Sequence, residues 1–553
     1  MVVTFQLLNS STCQERSPSD AISHRPNRSQ RPRRSTALFA LCPRGVLPLL
    51  APCLKPNRGD SHISTVAASA GNSQAVAFKG NDKLLFGMIM GVIAFWLFAQ
   101  TTLNIAPDMQ KDLGIEANLM NIAVAITSLF SGMFIVVMGG LADRIGRVRI
   151  MNLGFILSIV GALMIALTPT GAMSTPFLML GRAIQGVSAA CIMPASLALV
   201  KTYWDGAERQ RAVSMWSIGS WGGSGLCALF GGLMTQNFGW RSIFFACAAV
   251  SVLGMLMIRG TPESKVDSDG NATLDLAGIV TFMVGMVGLQ IVITQGNKLG
   301  WTSPFILTAA AVTVVAGVLF FMAEGKAGKP FIDFKLFDNK IFTGATISNF
   351  MLNGVAGMLI VSLQLVQLGG NMNAQQAGML TLGYAIAIIA FIRVGEKLLQ
   401  RFGSRKPMMW GCLITGLSII LLMPTNLMLG DYKVLAVIAY ILFGIGLAFY
   451  ATPSTDAALS NLPAAQAGSG SGIYKMASSL GGAFGVAISA AIFTALRANN
   501  DSIHWLEGVI TFVGRQDNVA IREAAIIALG FNLLMVVFAM ISIMLPIPKG
   551  KKA

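Results

Sequence analysis

The chain is predicted to be an all-α integral membrane protein of fourteen transmembrane helices, arranged as two six-helix bundles with two helices inserted between them. Three observations carry that prediction. Only 12% of the 553 residues are charged, against roughly 25% in a soluble globular chain. The missing charge is replaced by long apolar stretches, each bounded by polar or charged residues. Two motifs of the first half also recur in the second.

The apolar stretches fall at 84–104, 119–139, 150–168, 177–200, 211–234, 241–259, 275–294, 305–323, 344–366, 375–394, 406–425, 434–457, 470–494 and 523–546. Each is about 20 residues, the length a helix needs to cross about 30 Å of hydrocarbon. The first span carries Trp96 and Gln100, and the second ends in a charged turn, Gly139-Gly140-Leu141-Ala142-Asp143-Arg144-Ile145-Gly146-Arg147-Val148-Arg149. The fourth holds Arg182, the fifth is rich in glycine, and the seventh and eighth are plain apolar runs. The ninth carries Asn349 and Asn353, the tenth ends in a second charged turn, the twelfth holds Asp456, and Lys475 opens the thirteenth. The fifty-nine glycines fit this picture, because small residues let membrane helices approach closely.

The net charge of +16 is not a nucleic-acid signature. The first 83 residues carry eleven Lys/Arg against four acids, and the other basic residues fall mostly in alternate loops. With the N-terminus in the cytoplasm, the inner loops hold seventeen Lys/Arg and the outer loops seven, which places both termini in the cytoplasm. Residues 1–80 read as a disordered basic extension in which Arg25, Arg28, Arg31, Arg33 and Arg34 crowd among prolines and serines. A transit peptide and coding sequence upstream of the true start are the other readings of that segment. Of the seven cysteines, three lie in this extension and four in predicted spans, where a thiol is a small apolar filler. No cysteine/histidine cluster has metal-ligand spacing, and no cofactor is expected.

The second charged turn, Gly395 to Lys406, matches the first at an offset of 257, with Gly403 on Gly146 and Arg401 on Arg144. Ser479-Leu480-Gly481-Gly482 repeats Ser220-Trp221-Gly222-Gly223 at an offset of 259. Parallel halves imply a six-helix bundle over 81–260, an inserted pair over 261–325, a second bundle over 326–548 and a tail at 549–553. Such repeats place a solute site between the halves near the membrane midplane.

The charged turn after the second span, the Ala189–Ala195 stretch and the Trp216–Gly225 stretch resemble the Major Facilitator Superfamily, and specifically its fourteen-span drug:proton antiporter group. Ile332–Phe337 and Tyr450–Asp456 agree. The resemblance implies multidrug export driven by inward proton flow, with quinolones and cationic dyes or biocides as substrates. It assigns Arg182 a part in proton coupling. Two departures stand out: Ala99-Gln100-Thr101-Thr102-Leu103-Asn104 lacks the acid many relatives carry, and Ser224 and Ala228 stand where prolines are expected.

Proton coupling needs a group that titrates inside the membrane, and the three histidines (His24, His62, His504) all lie outside the spans. The candidates are Asp456, Arg182, Asp143, Lys475 and Glu396. Asp456 either carries the proton or caps a helix end, and Arg182 either tunes an acid or binds backbone carbonyls. Lys475 is expected to neutralise Asp456 or Asp143. Gating is expected from Gly139, Asp143, Arg144, Gly146 and Arg147, with Gly222, Gly223, Gly481 and Gly482 as close contacts between the halves. Drug binding falls to Trp96, Gln100, Asn104, Trp216, Trp221, Asn349, Asn353, Tyr384, Tyr450 and Tyr474, since apolar walls with a few polar groups suit amphipathic aromatics.

No phosphate-binding loop is present, so ATP does not drive the cycle, and no Ser/His/Asp set can assemble at membrane depth. The expected partners are small-molecule drugs, protons and the lipid bilayer, without nucleic acid, and a monomer suffices. A dedicated transporter of one metabolite (a siderophore, amino acid or peptide) shares this fold, as would a non-transporting sensor.

Overall fold

A computed structural model describes residues 78–265, 275–326, 332, 334–372, 374–498, 511–514 and 516–548. The basic extension, but for its last three residues, His504 and the 549–553 tail lie outside these. The described residues form helices: α1 (Asp82–Ile93), α2 (Thr102–Leu113), α3 (Ala117–Ile145), α4 (Arg147–Ala166), α5 (Ser174–Tyr203), α6 (Gly206–Ser217), α7 (Gly223–Phe238) and α8 (Trp240–Ile258). They continue as α9 (Leu276–Leu299), α10 (Pro304–Lys326), α11 (Lys340–Gly354), α12 (Gly357–Gln364), α13 (Ala374–Leu380), α14 (Leu382–Phe402), α15 (Arg405–Leu422), α16 (Leu429–Ser460), α17 (Ala467–Ala498) and α18 (Val519–Met544).

Twelve spans among the described residues are long and apolar enough to cross a bilayer. The other two of the expected fourteen are also helical. The fifth is α6 and α7 joined through a π-helical turn, Ile218–Gly222. The seventh is α9, whose apolar core, Ala277–Ile293, is shorter. Similar π turns sit at Ala94–Ala99, between α1 and α2, and at Leu365–Gly369, after α12. Their wider turns break the regular ladder and turn backbone groups toward side-chain partners.

Local signals explain the helix ends. Asn81 accepts a hydrogen bond from the Leu84 N–H at 2.8 Å and Asp275 one from Gly278 at 2.9 Å, capping α1 and α9. Asn339 caps α11 in the same way. Gly146 and Gly403, the aligned glycines of the two charged turns, end α3 and α14 at φ of +134° and +74°, conformations that favour glycine.

In the first bundle α5 packs on α3 and α4, and α8 on α1 and α4; in the second α16 packs on α14 and α15, and α18 on α11, α15 and α17. The bundles meet along two seams, α17 against α3 and α5, and α6–α7 against α14, with α6 also on α16. The inserted α9 and α10 pack on each other, and α9 leans on α3 and α17, one helix from each bundle.

Close backbone approach fixes the seams. A Cβ on Gly139 would sit 2.4 Å from the Gly468 carbonyl oxygen, and one on Gly222 2.8 Å from Ile389. The expectation that Gly223, Gly481 and Gly482 also join the halves is corrected. Gly223 lies on Trp96 of its own bundle, and Gly481 faces the Phe350 carbonyl of α11. Gly482 has only the Asn353 carbonyl near it. The repeat explains two of these contacts: Asn353 follows Trp96 at the loop offset of 257, so Gly223 and Gly482 make equivalent contacts inside each bundle.

Candidate functional site

The starts of α1 and α6 and the ends of α3 and α16 share one membrane face, which also carries Arg144, Arg149, Arg209 and Arg211. On this basic face, charged groups tie the bundles together. Asp143, at the end of α3, accepts from the backbone N–H groups of Gly468 at 2.8 Å and Ser469 at 2.9 Å, in the first turn of α17. A carboxylate at a helix N-terminus meets unpaired N–H donors and the positive end of the helix dipole. Arg147 donates to the same carboxylate from Nη2 at 2.8 Å and reaches the Ala464 carbonyl at 2.6 Å. Both residues are buried, at 5% and 3% exposure.

A second tie crosses the other seam. Arg209 of α6 donates to Asp456 of α16 at 3.1 Å and to the Ser460 hydroxyl at 2.8 Å. Gln210 adds a bond to Asp456 at 3.3 Å. Lys201 reaches the Ser460 carbonyl at 3.2 Å. The structure is therefore closed on its basic face. The loop after α8 supports the first tie, because the Glu263 carboxylate accepts from the Val148 and Arg149 N–H groups at 2.9 and 3.0 Å. Asp112, on the opposite face, holds Trp240 and Arg241 of α8. The Arg241 guanidinium keeps its carboxyl below the usual carboxylate range.

Several expected site residues lie elsewhere than anticipated. Lys475 pairs with neither Asp456 nor Asp143, whose oxygens are taken by Arg209 and Arg147. Its ammonium instead lies 4.8 Å from the Trp216 ring centre and 5.9 Å from that of Trp96. Glu396 pairs with Arg393 one turn away and with Gln400, both within α14. Arg182 has no acid among its partners. It donates to the Ala99 carbonyl at 2.8 Å, to Gln185 at 3.0 Å, and to the Ala123 and Val124 carbonyls at 3.3 Å. The π turn ending at Ala99 frees that carbonyl, so Arg182 fastens α5 to the first span and to α3.

Arg182→Ala removes these bonds from a fully buried site. At about 1.5–3 kcal/mol for each bond to a charged group, the loss amounts to several kcal/mol. The expected result is a large fall in melting temperature of the purified protein, partly restored by Arg182→Lys. A melting temperature equal to that of the unaltered protein would rule out this fastening role.

The polar aromatic candidates divide. Asn349 donates to the Tyr474 carbonyl at 2.9 Å and to Ser478 at 2.7 Å, and Asn353 donates to Asn349. Tyr450 lies in the packed interior of the second bundle, its hydroxyl shared with Ser348 and Ser454. Tyr384 and Trp221 belong to the seam between α14 and α6–α7. Gln100 and Trp96 are half-buried and Asn104 is exposed. Arg209, Gln210, Ser460 and Glu263 were not singled out from sequence. Arg209 lies in a basic helix start like the other inner-loop cations, and its partner is 247 residues away.

Two bundles joined along two seams, with buried charge closing one end, define a membrane transporter of small molecules. The profile of the Major Facilitator Superfamily matches residues 84–486, and the chain belongs to that family. It is 47% identical over 447 residues to the quinolone resistance protein NorB of Staphylococcus aureus strain MRSA252, covering 79% of this chain and 95% of that one. With NorB of strain COL the identity is 46% over 476 residues, covering 86% and 97%. Among solved structures, a double-tryptophan mutant of XylE matches with a TM-score of 0.58 at 14% identity, over 85% of this chain and 96% of that one. The human organic anion transporter MFSD10 (TETRAN) matches at 0.53 and 13% identity, over 83% and 98%. The chain is thus a multi-pass membrane protein with the Major Facilitator fold.

Proposed function

We propose that this protein exports amphipathic drugs, quinolones among them, from the cytoplasm of a bacterial cell in exchange for protons. The basic face is then the cytoplasmic face, and both termini lie there. The distribution of Lys and Arg between alternate loops supports that orientation, and the relatives' quinolone resistance supports the substrate class.

The observation that carries the coupling is that two buried carboxylates, Asp143 and Asp456, each bridge the two bundles on one face. Both accept hydrogen bonds from donors of the other bundle. A proton on either removes the charge that its donors satisfy, and so weakens the closed state relative to the state open on the basic face. Proton binding thereby biases the exchange between faces, while Arg182 and the glycine contacts keep each bundle rigid.

Efflux of fluorescent dyes and of a quinolone from cells expressing the chain tests this reading. Efflux of several unrelated compounds, abolished by an uncoupler, is expected. Efflux of none would overturn it, and transport of one metabolite alone would point to a dedicated carrier.

A further inference from the structure

Lys475 is a buried cation with no anion paired to it among the described residues. Among the described residues its ammonium makes no hydrogen bond and no ion pair, and its contacts are the two indole faces of Trp216 and Trp96. It stands nine residues into α17, about 12 Å from the start of that helix, and the rings belong to the other bundle. The rings are held in place. The Trp216 indole N–H donates to Ser196 at 2.9 Å, and Trp96 packs over Gly223, where a Cβ would come within 3.2 Å of its side chain. Among the described residues the Trp96 indole N–H is buried and has no acceptor.

Two indole faces around a positive charge form the arrangement that recognises organic ammonium ions. Here the chain supplies its own ammonium. We infer that Lys475 occupies, as a tethered surrogate, the aromatic site that binds the positive centre of the exported drug, and that drug and charged Lys475 exclude one another there. The unpaired Trp96 N–H defines the ligand further: an organic cation bearing a hydrogen-bond acceptor near its positive centre. The inference rests on the exporter reading and gives it a binding site.

The other charged groups near α17 are committed elsewhere. Asp143 of α3 is held by Gly468, Ser469 and Arg147, and Asp456 of α16 by Arg209. Arg182 of α5 is turned to carbonyls of the first span and α3. Asn349 of α11 is bonded to the Tyr474 carbonyl and to Ser478. Arg522 and Glu523 of α18 lie at the opposite membrane face. Neutralisation of Lys475, its proton passing to water, would therefore leave the rings without a cation.

Equilibrium binding of tetraphenylphosphonium, followed by tryptophan fluorescence of the detergent-purified chain, tests this. That probe is a permanent cation, so pH alters only the protein. Lys475→Met is expected to bind it about tenfold tighter than the unaltered protein, the worth of one desolvated cation–π contact. The unaltered protein should bind more tightly as pH rises from 6 to 9, and Lys475→Arg should stay weak at both values. Norfloxacin, which carries an amine and acceptor oxygens, should lose affinity in Trp96→Phe, whereas tetraphenylphosphonium should lose little. Unchanged or weaker probe binding in a Lys475→Met protein that melts normally would overturn the inference. Should that variant melt early, a pH-independent affinity of the unaltered protein would overturn it equally. These are binding measurements, so absent efflux with intact binding would count against the exporter reading alone.

Discussion

Asp143→Ala is expected to open the basic face. The substitution removes the acceptor for two backbone N–H groups at the start of α17 and strands Arg147, which is 3% exposed. Two hydrogen bonds to a charged acceptor, at about 1.5–3 kcal/mol each, amount to about 3–6 kcal/mol of closure. Inverting a population from 99:1 to 1:99 takes about 5.5 kcal/mol. The closed state should therefore fall from dominant to minor. Spin labels at Arg149 and Ala465, exposed positions on the two sides of this tie, should report a longer distance in the variant, and transport should fall at least about tenfold. Asp143→Asn keeps one acceptor oxygen and should lie between. An unchanged label distance in Asp143→Ala would show that the carboxylate does not hold the face shut.

The second large effect is expected at Asp456. Asp456→Asn removes the charge facing Arg209, whose side chain is 13% exposed, and truncating one partner of a buried pair commonly destabilises by about 3–5 kcal/mol. Drug export coupled to a pH gradient should be lost, with the protein still present in the membrane. Exchanging the partners, Arg209→Asp with Asp456→Arg, should recover part of the activity that each single change removes. No recovery in the exchanged protein, or normal drug-driven proton release from Asp456→Asn, would remove this pair from the coupling scheme.

The two ties differ in how far they could be read from sequence. Asp143, Gly146 and Arg147 stand within a few residues of one another, so spacing alone marked them as one turn. Their acceptor and donor partners, Ala464, Gly468 and Ser469, lie more than 300 residues later. The expected cation for Asp456 was Lys475, because both sit within apolar runs and charge in lipid needs a partner. The structure shows that Arg209, counted as an ordinary loop cation, reaches further inward, and that two indoles can receive a lysine without an acid. Periodicity could not reveal either, since both depend on which helices share a seam. The spans themselves were legible because each must be apolar over its whole length. Even there, the π turn at Ile218–Gly222 was invisible, as its composition matches that of any glycine-rich helix.

Inside-out vesicles holding the purified chain, with the basic face outward and no initial pH gradient, offer the most direct test of proton-for-drug exchange. Adding a quinolone outside should acidify the external medium as drug enters, and an uncoupler should collapse that signal. Drug uptake with no proton release, or with alkalinisation of the medium, would contradict the exchange.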